Sequence, residues 1–511
     1  MKKYIQNLAY TLVLGVILIA GCTDKFEEIN KDPDNPTVVP IENLLAWSIW
    51  QNSFRFYDRW FMLDEPASFG GYVAKMSYID EARYQYRPGV QNTNWQYFYR
   101  ILLNLKEVQE RANEYGYVNM EMAAKTMEVE AVLIATDRWR DIPYSDAVKM
   151  REDVLTPRYD TQEEIYPALI ALAKEIGDTF AAGGGDDDIG GDLLFDGDVE
   201  KWQKYANSLR LRMAIRISGV SPLGKQHVED ILGNPDKYPL IEDNEDNAFF
   251  WWDGSDPTRF EPIADAYRTR KTEFCAPDIL VNHMLLRDDP RISVYFTPTP
   301  SSQTKPTEKD LEDPDFITDY TDGTPVYRGF TIGSASNAVS SRYSVWAYRF
   351  GIDLGGFSPY YRASETFFLI AEAAMLGYNT GGITAEEAYN TAVALSLEEN
   401  GVKEADIEDY LDGAGKFDGT KEMIWYESWV ANFKNGMEGW TLYRRTGIPS
   451  NHYIAPGRAN RYSNHNVPPF RSLYPSQELQ LNRENNEPYN NKIVDDFWGQ
   501  QMWWDTRTGV Y

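Results

Sequence analysis

The chain has 511 residues, of which 43% are hydrophobic and 25% are charged, a globular composition long enough for one large domain or two to three ordinary ones. Its formal net charge of −28 makes nucleic acid and anionic membrane surfaces unfavourable partners, because both are negatively charged. Only two cysteines occur, Cys22 and Cys275, so we expect no disulfide framework.

Residues 1–21 have the pattern of an export signal. Lys2 and Lys3 give a positive start, and Leu8–Ala20 is an apolar stretch of 13 residues. Such a stretch is too short to cross a hydrocarbon core of about 30 Å, which takes roughly 20 apolar residues. The sequence Ile-Ala-Gly before Cys22 resembles a bacterial lipobox, which predicts cleavage before Cys22 and a lipid on its thiol. The alternative is an ordinary secretory signal next to an unrelated cysteine.

The remaining chain divides into a short tether and a long helical region. Residues 22–40 are acidic and contain three prolines, which indicates a lipidated N-terminal tether rather than a folded element. Residues 41–511 are predicted to form a single domain. Apolar residues at helical spacing predict helices over 42–58, 94–114, 119–139, 161–176, 199–217, 364–376, 384–400 and 421–433.

Two helix starts carry an additional signal. Thr161 with Glu164, and Thr384 with Glu387, fit the capping box, in which each residue's side chain bonds the other's backbone N–H. The predicted helices come in pairs, as in tetratricopeptide-like arrays. We therefore predict a mainly α fold built from helix pairs that are unevenly spaced along the chain.

Long loop-rich insertions interrupt these units, at 60–93, 240–272, 296–360 and 446–511. Each insertion carries aromatic residues, and the chain as a whole has 15 Trp and 34 Tyr against 23 Phe. Indole and phenol rings suit wet binding surfaces, because a ring face stacks while its edge forms hydrogen bonds. The alternative for any one ring is packing between helices.

Several segments carry a recognisable family pattern. One is Asp-Ile-Pro-Tyr-Ser-Asp-Ala at 141–147, after Arg140. The others are 26–37 after the lipobox, 196–212, 361–373, 427–445 and 470–478. In this order they resemble the SusD/RagB family of outer-membrane nutrient-binding lipoproteins, whose signature GDIPYSEA has a glycine where this chain has Arg140. Together they extend over nearly the whole mature chain.

The resemblance implies a helical scaffold of about four tetratricopeptide-like helix pairs, which would lie near 42–114, 119–178, 199–288 and 362–400. It also implies a partner, a SusC-like TonB-dependent transporter whose mouth the lipoprotein covers. It implies an oligosaccharide as the usual ligand, sometimes a peptide, and no cofactor. Acidic residues after Cys22, among them Asp24, Glu27 and Glu28, look like the signal that moves such lipoproteins to the exterior of the outer membrane. Membrane attachment would be through the lipid alone.

Three groups of residues are candidates for ligand binding. The first lies where a loop enters the predicted helix at 94, because family members often bind sugar near this junction. The second is a tryptophan pair with a neighbouring carboxylate, and the third lies in the 296–360 insertion. The candidates are Arg83, Tyr84, Asn94 and Trp95, then Trp251, Trp252 and Asp253, and finally Tyr327, Trp346 and Tyr348.

Motifs for catalysis are missing from the sequence. The four histidines show no His-x-x-x-His spacing, and no Gly-x-Ser-x-Gly elbow occurs. The acidic residues at 186–192 and 196–198 could hold a hard cation, but a solvated turn between helices explains them as well. Carboxylate pairs are plentiful, and the separation in space that defines a glycosidase pair is not visible in a sequence. The resemblance is therefore what leads us to predict a glycan-binding protein that is not an enzyme. The alternatives are a binding protein for peptides or another nutrient and, further away, an exported glycoside hydrolase.

Overall fold

The computed structural model describes residues 39–270, 273–311, 319–334, 339–450, 465–490 and 498–511. The predicted signal, Cys22 and the tether up to residue 38 lie outside the described residues. Within them the chain is mainly helical, which confirms the predicted fold class. None of the helices in these ranges is both long and apolar enough to cross a membrane.

The described residues form nineteen α-helices and four short strands. The helices of the N-terminal half are α1 (Ile41–Phe56), α2 (Pro66–Phe69), α3 (Pro88–Tyr115), α4 (Val118–Trp139), α5 (Gln162–Ala181), α6 (Val199–Ile217), α7 (Pro222–Leu232) and α8 (Pro262–Thr269). Those of the C-terminal half are α9 (Asp278–Leu286), α10 (Ile292–Tyr295), α11 (Pro300–Gln303), α12 (Glu308–Leu311), α13 (Ala363–Met375), α14 (Ala385–Glu399), α15 (Glu404–Asp412), α16 (Lys421–Ala431), α17 (Gly436–Thr446), α18 (Glu478–Leu481) and α19 (Arg483–Asn490). The strands are β1 (Ala74–Lys75), β2 (Ala248–Trp251), β3 (Phe274–Cys275) and β4 (Phe357–Tyr361).

Helices that follow one another in sequence pack against one another. α3 packs on α1 and α4, α5 on α4 and α6, and α6 also on α7, while α13 packs on α14, α16 and α6. The turn between α3 and α4 is two residues long, and its Gly116 has φ +74°, a left-handed conformation that glycine adopts without steric cost. Both predicted capping boxes are present, at the starts of α5 and α14. Our division of the helices into four units remains a prediction.

Two antiparallel strand pairs join distant insertions. β1 pairs with β3, with Ala74 opposite Cys275. β2 pairs with β4, with Trp251 opposite Phe357, and a bulge interrupts the register between Ala248 and Phe249. These short pairs fix the insertions at 60–93 and 240–272 to the C-terminal half of the chain.

Burial divides between the helical array and the insertions. One large apolar cluster runs through α1, α3 to α7 and α13 to α17. A second cluster lies under the insertions and includes Tyr267, Trp346, Phe357 and Phe433. A third and smaller one contains Cys275, which is buried as a small apolar residue would be. The insertions therefore rest on apolar cores of their own, which hold their exposed side chains in place.

Candidate functional site: an exposed tryptophan on two joined turns

Tryptophan burial separates packing residues from candidate binding residues. All fifteen tryptophans lie in the described residues, and nine of them are buried while five are partly exposed. Trp251 is the one that is more exposed than these, with 58% of its surface accessible. The packing alternative therefore accounts for most of the indole rings, and Trp251 stands apart from them.

The first predicted group lies mostly in the core. Trp95 is buried against Trp139 at 5.2 Å between ring centroids and against Tyr99 at the same separation. Asn94 is buried beside it, and Tyr84 packs edge-on against Trp498 at 4.9 Å. Burial leaves these rings no free face for a sugar.

Arg83 is the exception in the first group. It is partly exposed, and its Nε donates to the carbonyl of Gly333 at 2.7 Å. This bond joins the 60–93 insertion to the 296–360 insertion. Arg83 is thus the member of the first group that is not enclosed in the core.

The second group is divided by the alternation of an extended chain. Successive side chains of a strand point to opposite faces. Trp251 is exposed, whereas Trp252 is buried and its Nε1 donates to Ser358 Oγ at 3.0 Å. Asp253 is exposed again. One face of this segment therefore presents Trp251 and Asp253, and the other fixes the segment to β4.

The third group is also divided between buried and exposed rings, although strand alternation is not the cause, since Tyr348 begins a short helical turn. Trp346 is buried, stacks on Tyr267 at 5.6 Å and donates from Nε1 to the carbonyl of Tyr72 at 3.2 Å. Tyr348 is 65% exposed, and its hydroxyl donates to Asp353 Oδ1 at 3.4 Å. Tyr327 is partly exposed and packs against the second apolar cluster.

The structure brings the exposed members of the second and third groups onto two turns that contact each other. The backbone N–H of Trp252 donates to the carbonyl of Gly356 at 2.9 Å, and that of Glu261 donates to the carbonyl of Leu354 at 2.9 Å. Gly254 has φ +69°, and a Cβ there would lie 2.7 Å from the backbone nitrogen of Gly355. Only glycine permits so close an approach. We call Trp251, Asp253, Arg259, Tyr348 and Asp353 the Trp251 platform.

A rigid base supports the exposed indole. The ring of Trp251 lies 5.2 Å from that of Phe357 and 6.1 Å from that of Phe249. Phe249 and Phe357 are buried and stack on each other at 4.6 Å. Because the base is packed, the exposed face of Trp251 loses little conformational entropy when a ligand stacks on it.

Carboxylates dominate the polar groups around this ring. Asp253 accepts from the backbone N–H of Ser255 at 3.1 Å and from Arg259 Nη1 at 2.6 Å. These bonds, from Ser255 first and then Arg259, lower the pKa of Asp253. Asp353 Oδ1 accepts from the backbone N–H of Gly355 at 3.0 Å as well as from Tyr348. The platform thus combines a ring face with fixed acceptors for hydroxyl groups.

Tyr78 is an exposed ring that the sequence analysis missed. It is 68% exposed, with φ +49°, and Arg270 lies over its ring at 5.8 Å. Nothing in its immediate sequence distinguishes Tyr78 from Tyr84 and Tyr86. Tyr84 is buried against Trp498, and the Tyr86 hydroxyl donates to the carbonyl of Tyr474, so their burial comes from distant parts of the chain. Arg270 follows α8, and α8 connects Arg270 to the turn that carries Arg259.

A buried network of ion pairs lies next to the loop that carries Tyr78. Lys75 Nζ lies 2.9 Å from Asp64, 3.0 Å from Glu81 and 3.1 Å from Glu273. Arg59 bonds Asp64 at 2.9 Å. Burial alone would lower the pKa of Lys75, but these carboxylates raise it, so Lys75 remains charged. The network joins β1 and the residue before β3 to Asp64, which lies just before α2.

The acidic segment at 186–198 is accounted for by backbone contacts. Asp187 accepts from the N–H groups of Asn119 and Met120 at 3.0 Å each, which caps the start of α4. Asp192 accepts from the N–H of Leu194 at 2.8 Å and from the Trp202 indole at 2.8 Å. Among the described residues, no group of three or more His, Cys, Asp or Glu has the arrangement of a metal site.

Comparison with known families gives one extended match. A family model, SusD-like_2, described as "Starch-binding associating with outer membrane", matches residues 55–475. No curated protein matches the chain.

Solved structures with the same fold are numerous. A chitin-binding protein superimposes with a TM-score of 0.77 at 23% identity, over 92% of this chain and 100% of its own. A chitin-binding SusD homologue from Flavobacterium johnsoniae gives 0.75 at 22%, over 91% and 99% of the two chains. A SusD homologue from Bacteroides thetaiotaomicron gives 0.73 at 21%, over 92% and 100%. At these identities the likeness establishes the fold.

Proposed function

The chain belongs to the SusD-like family described as "Starch-binding associating with outer membrane", and from this premise we propose that it binds a glycan on the Trp251 platform. The observation that carries the proposal is the exposed indole of Trp251 on a buried aromatic base. Sugar rings present C–H faces that stack on such a ring, and carboxylates accept hydrogen bonds from their hydroxyls. Two of the structural relatives are named as chitin-binding, which supports the same class of ligand.

The proposal includes delivery rather than breakdown of the glycan. The protein would be anchored through Cys22 to the outer membrane, face the cell exterior, and pass its oligosaccharide to a SusC-like TonB-dependent transporter. The Trp251 platform has acceptors that orient hydroxyl groups, and it is open to solvent on one side, as suits capture and release. We propose that no glycosidic bond is broken there.

Calorimetry of the purified chain with maltohexaose and chitohexaose tests the binding proposal. We expect saturable binding of one of them to the wild-type protein. Trp251→Ala should weaken it at least 10-fold, about 1.4 kcal/mol, because the stacking surface is lost. Tyr348→Ala should weaken binding less, since a hydroxyl and a smaller ring are removed.

Tyr115→Ala is the matched control, because Tyr115 is also exposed, at 51%, but lies at the end of α3. It should bind as the wild type does. Full affinity in Trp251→Ala would remove the platform from the proposal, and failure of every oligosaccharide and polysaccharide to bind would overturn glycan binding altogether. Release of reducing ends during the titration would instead identify a hydrolase.

The transporter proposal needs a separate measurement. Affinity purification of the tagged chain from detergent-solubilised outer membranes should recover a TonB-dependent transporter in a stoichiometric amount. The same experiment with an unrelated lipoprotein carrying the same tag is the control. Recovery of the chain without any transporter would leave glycan binding intact but contradict the delivery role.

A further inference from the structure

We propose that the Trp251 platform selects uncharged glycans and rejects those that carry carboxylate or sulfate groups. This inference rests on the proposed function, and it names the class of glycan that the same site accepts. Two observations carry it. The arginines near the platform are paired with carboxylates, and Asp353 has no cation as a partner among the described residues.

The segments that form the platform contain six arginines and no lysine, over 248–270 and 339–362. Every one of these arginines is paired with a carboxylate. The pairs are Arg259–Asp253 at 2.6 Å, Arg268–Asp265 at 2.6 Å, Arg270–Glu273 at 3.3 Å, Arg342–Asp319 at 3.1 Å, Arg349–Glu399 at 3.0 Å and Arg362–Glu399 at 3.1 Å. The positive charge of each guanidinium group is therefore already offset by a neighbouring carboxylate, which weakens its attraction for a sugar carboxylate or sulfate.

The Trp251 platform has two carboxylates, on Asp253 and Asp353, and one cation, Arg259, while Asp256 adds a third carboxylate next to Arg259. Arg259 serves both Asp253 and Asp256, the latter at 3.5 Å. Among the described residues no cation pairs with Asp353, whose bonds come from Gly355 and Tyr348. All three aspartates are at least partly exposed. An anionic sugar on the Trp251 ring would therefore meet like charges, whereas an uncharged one would meet hydrogen-bond acceptors.

A matched pair of ligands isolates the effect of charge. We would titrate the full chain with a neutral oligosaccharide that binds it and with the same oligosaccharide oxidised at C6, where carboxylates replace primary hydroxyls. At 20 mM salt the oxidised form should bind at least 10-fold more weakly. At 500 mM salt the difference should fall several-fold, because the Debye length shortens to a few ångströms.

Asp256→Asn with Asp353→Asn tests whether these carboxylates cause the rejection. Asparagine retains an acceptor oxygen at both positions while two charges are removed. In the double variant, the ratio of the affinities for the neutral and the oxidised ligand should be at least 3-fold smaller than in the wild type at 20 mM salt. Glu408→Gln with Asp409→Asn, on the exposed side of α15, changes the net charge equally and should leave the difference as it is in the wild type.

The outcomes separate this inference from the proposed function. Equal binding of both ligands, with both weakened by Trp251→Ala, would overturn charge selection and leave glycan binding in place. If Asp256→Asn with Asp353→Asn leaves the affinity difference between the neutral and the oxidised ligand unchanged, the role of these two carboxylates is overturned. Absence of binding by any neutral glycan would instead overturn the proposed function.

Discussion

Glu130 is a carboxyl group in the centre of the helical array, only 1% exposed. The Tyr57 hydroxyl donates to its Oε1 at 3.3 Å, and Arg212 Nη1 is 3.7 Å from its Oε2, beyond hydrogen-bonding distance. Tyr205 and Glu438 also face it. Burial raises the pKa of Glu130 to about 7; Arg212 opposes the rise and Glu438 adds to it.

A raised carboxyl pKa predicts the sign of a pH effect. The folded chain retains the Glu130 proton at pH values where the unfolded chain has lost it, so the stability present below about pH 4.5 is lost as pH rises through about 7. Glu130→Gln should remove up to about 3 kcal/mol of this pH dependence, at 1.36 kcal/mol per unit of pKa. Denaturant unfolding between pH 4.5 and 8 measures it.

The control for this experiment is Glu408→Gln, which removes an exposed carboxylate on α15. Its unfolding profile should follow that of the wild type across the pH range. If Glu130→Gln retains the full wild-type slope, Glu130 is ionised in the folded protein and Arg212 outweighs its desolvation.

Neighbouring residues show what residue type alone predicts about the site. Trp251 and Trp252 were equal candidates by sequence, and only the extended backbone places one outside and the other against Ser358. Trp95 and Trp346 were also candidates, but each is enclosed by rings from distant segments. Sequence identifies which rings are capable of stacking. Exposure is decided by tertiary contacts that a local pattern does not contain.

At the scale of elements, capping was the most reliable sequence signal. The Thr161 backbone N–H donates to Glu164 Oε2 at 2.8 Å, and the backbone N–H of Glu164 donates back to Thr161 Oγ1 at 3.2 Å. Thr384 and Glu387 form the same pair of bonds at 2.9 and 3.2 Å. Both boxes involve groups three residues apart, so the information is local and the sequence alone was sufficient.

Thr161→Ala and Thr384→Ala should each lower the free energy of unfolding by about 1 kcal/mol, because the first turn loses its side-chain acceptor. Bonds from Thr161 and Thr384 lower the pKa of Glu164 and Glu387. This part of the stability is therefore present above the usual glutamate pKa and lost as pH falls below it. Thermal unfolding at pH 7 and pH 3 should show a smaller effect of each substitution at the lower pH.

Thr391→Ala provides the control on α14 itself. Thr391 Oγ1 donates to the Glu387 carbonyl within the helix, and alanine is the better helix former, so no loss of stability is expected. Equal losses from Thr384→Ala and Thr391→Ala would show that side-chain removal, rather than the cap, governs the change.

One helix start without a side-chain cap was predicted poorly. The first helix of the α3–α4 hairpin was expected from residue 94 but begins at Pro88. Its first turn contains Pro88 and Gly89, which weaken the helical pattern, although proline is well suited to the first position of a helix. The strand pairs were not expected at all. β1 and β3 are two residues each, about 200 positions apart in sequence, and exist because the insertions pack together.

At the scale of the whole molecule, the order of several weak segments predicted more than any single motif. The segment 141–147 lies in the loop after α4, 196–212 covers α6 and the turn before it, and 361–373 covers the end of β4 and most of α13. Buried polar residues join two of these elements. On α6, Arg212 donates from Nε to Glu365 Oε1 at 2.6 Å and from Nη2 to Glu365 Oε2 at 2.8 Å, and Glu365 lies on α13. A scaffold of this kind constrains sequence along its length, whereas surface loops, such as those of the proposed Trp251 platform, generally tolerate more change.

The same scale includes the connection to the membrane, which we predict to be the lipid on Cys22. The apolar stretch Leu8–Ala20 is too short to span a bilayer, while acyl chains contribute about 0.8 kcal/mol per buried CH₂. Cells labelled with radioactive palmitate should incorporate label into the wild-type chain and not into Cys22→Ser. Cys275→Ser, which alters the buried second cysteine, should be labelled as the wild type is.

Residues 23–511 behind an ordinary cleavable signal should be recovered in the soluble fraction and bind glycan with wild-type affinity. Label on Cys22→Ser, or sedimentation of this unlipidated form with washed membranes, would show that attachment depends on another part of the chain.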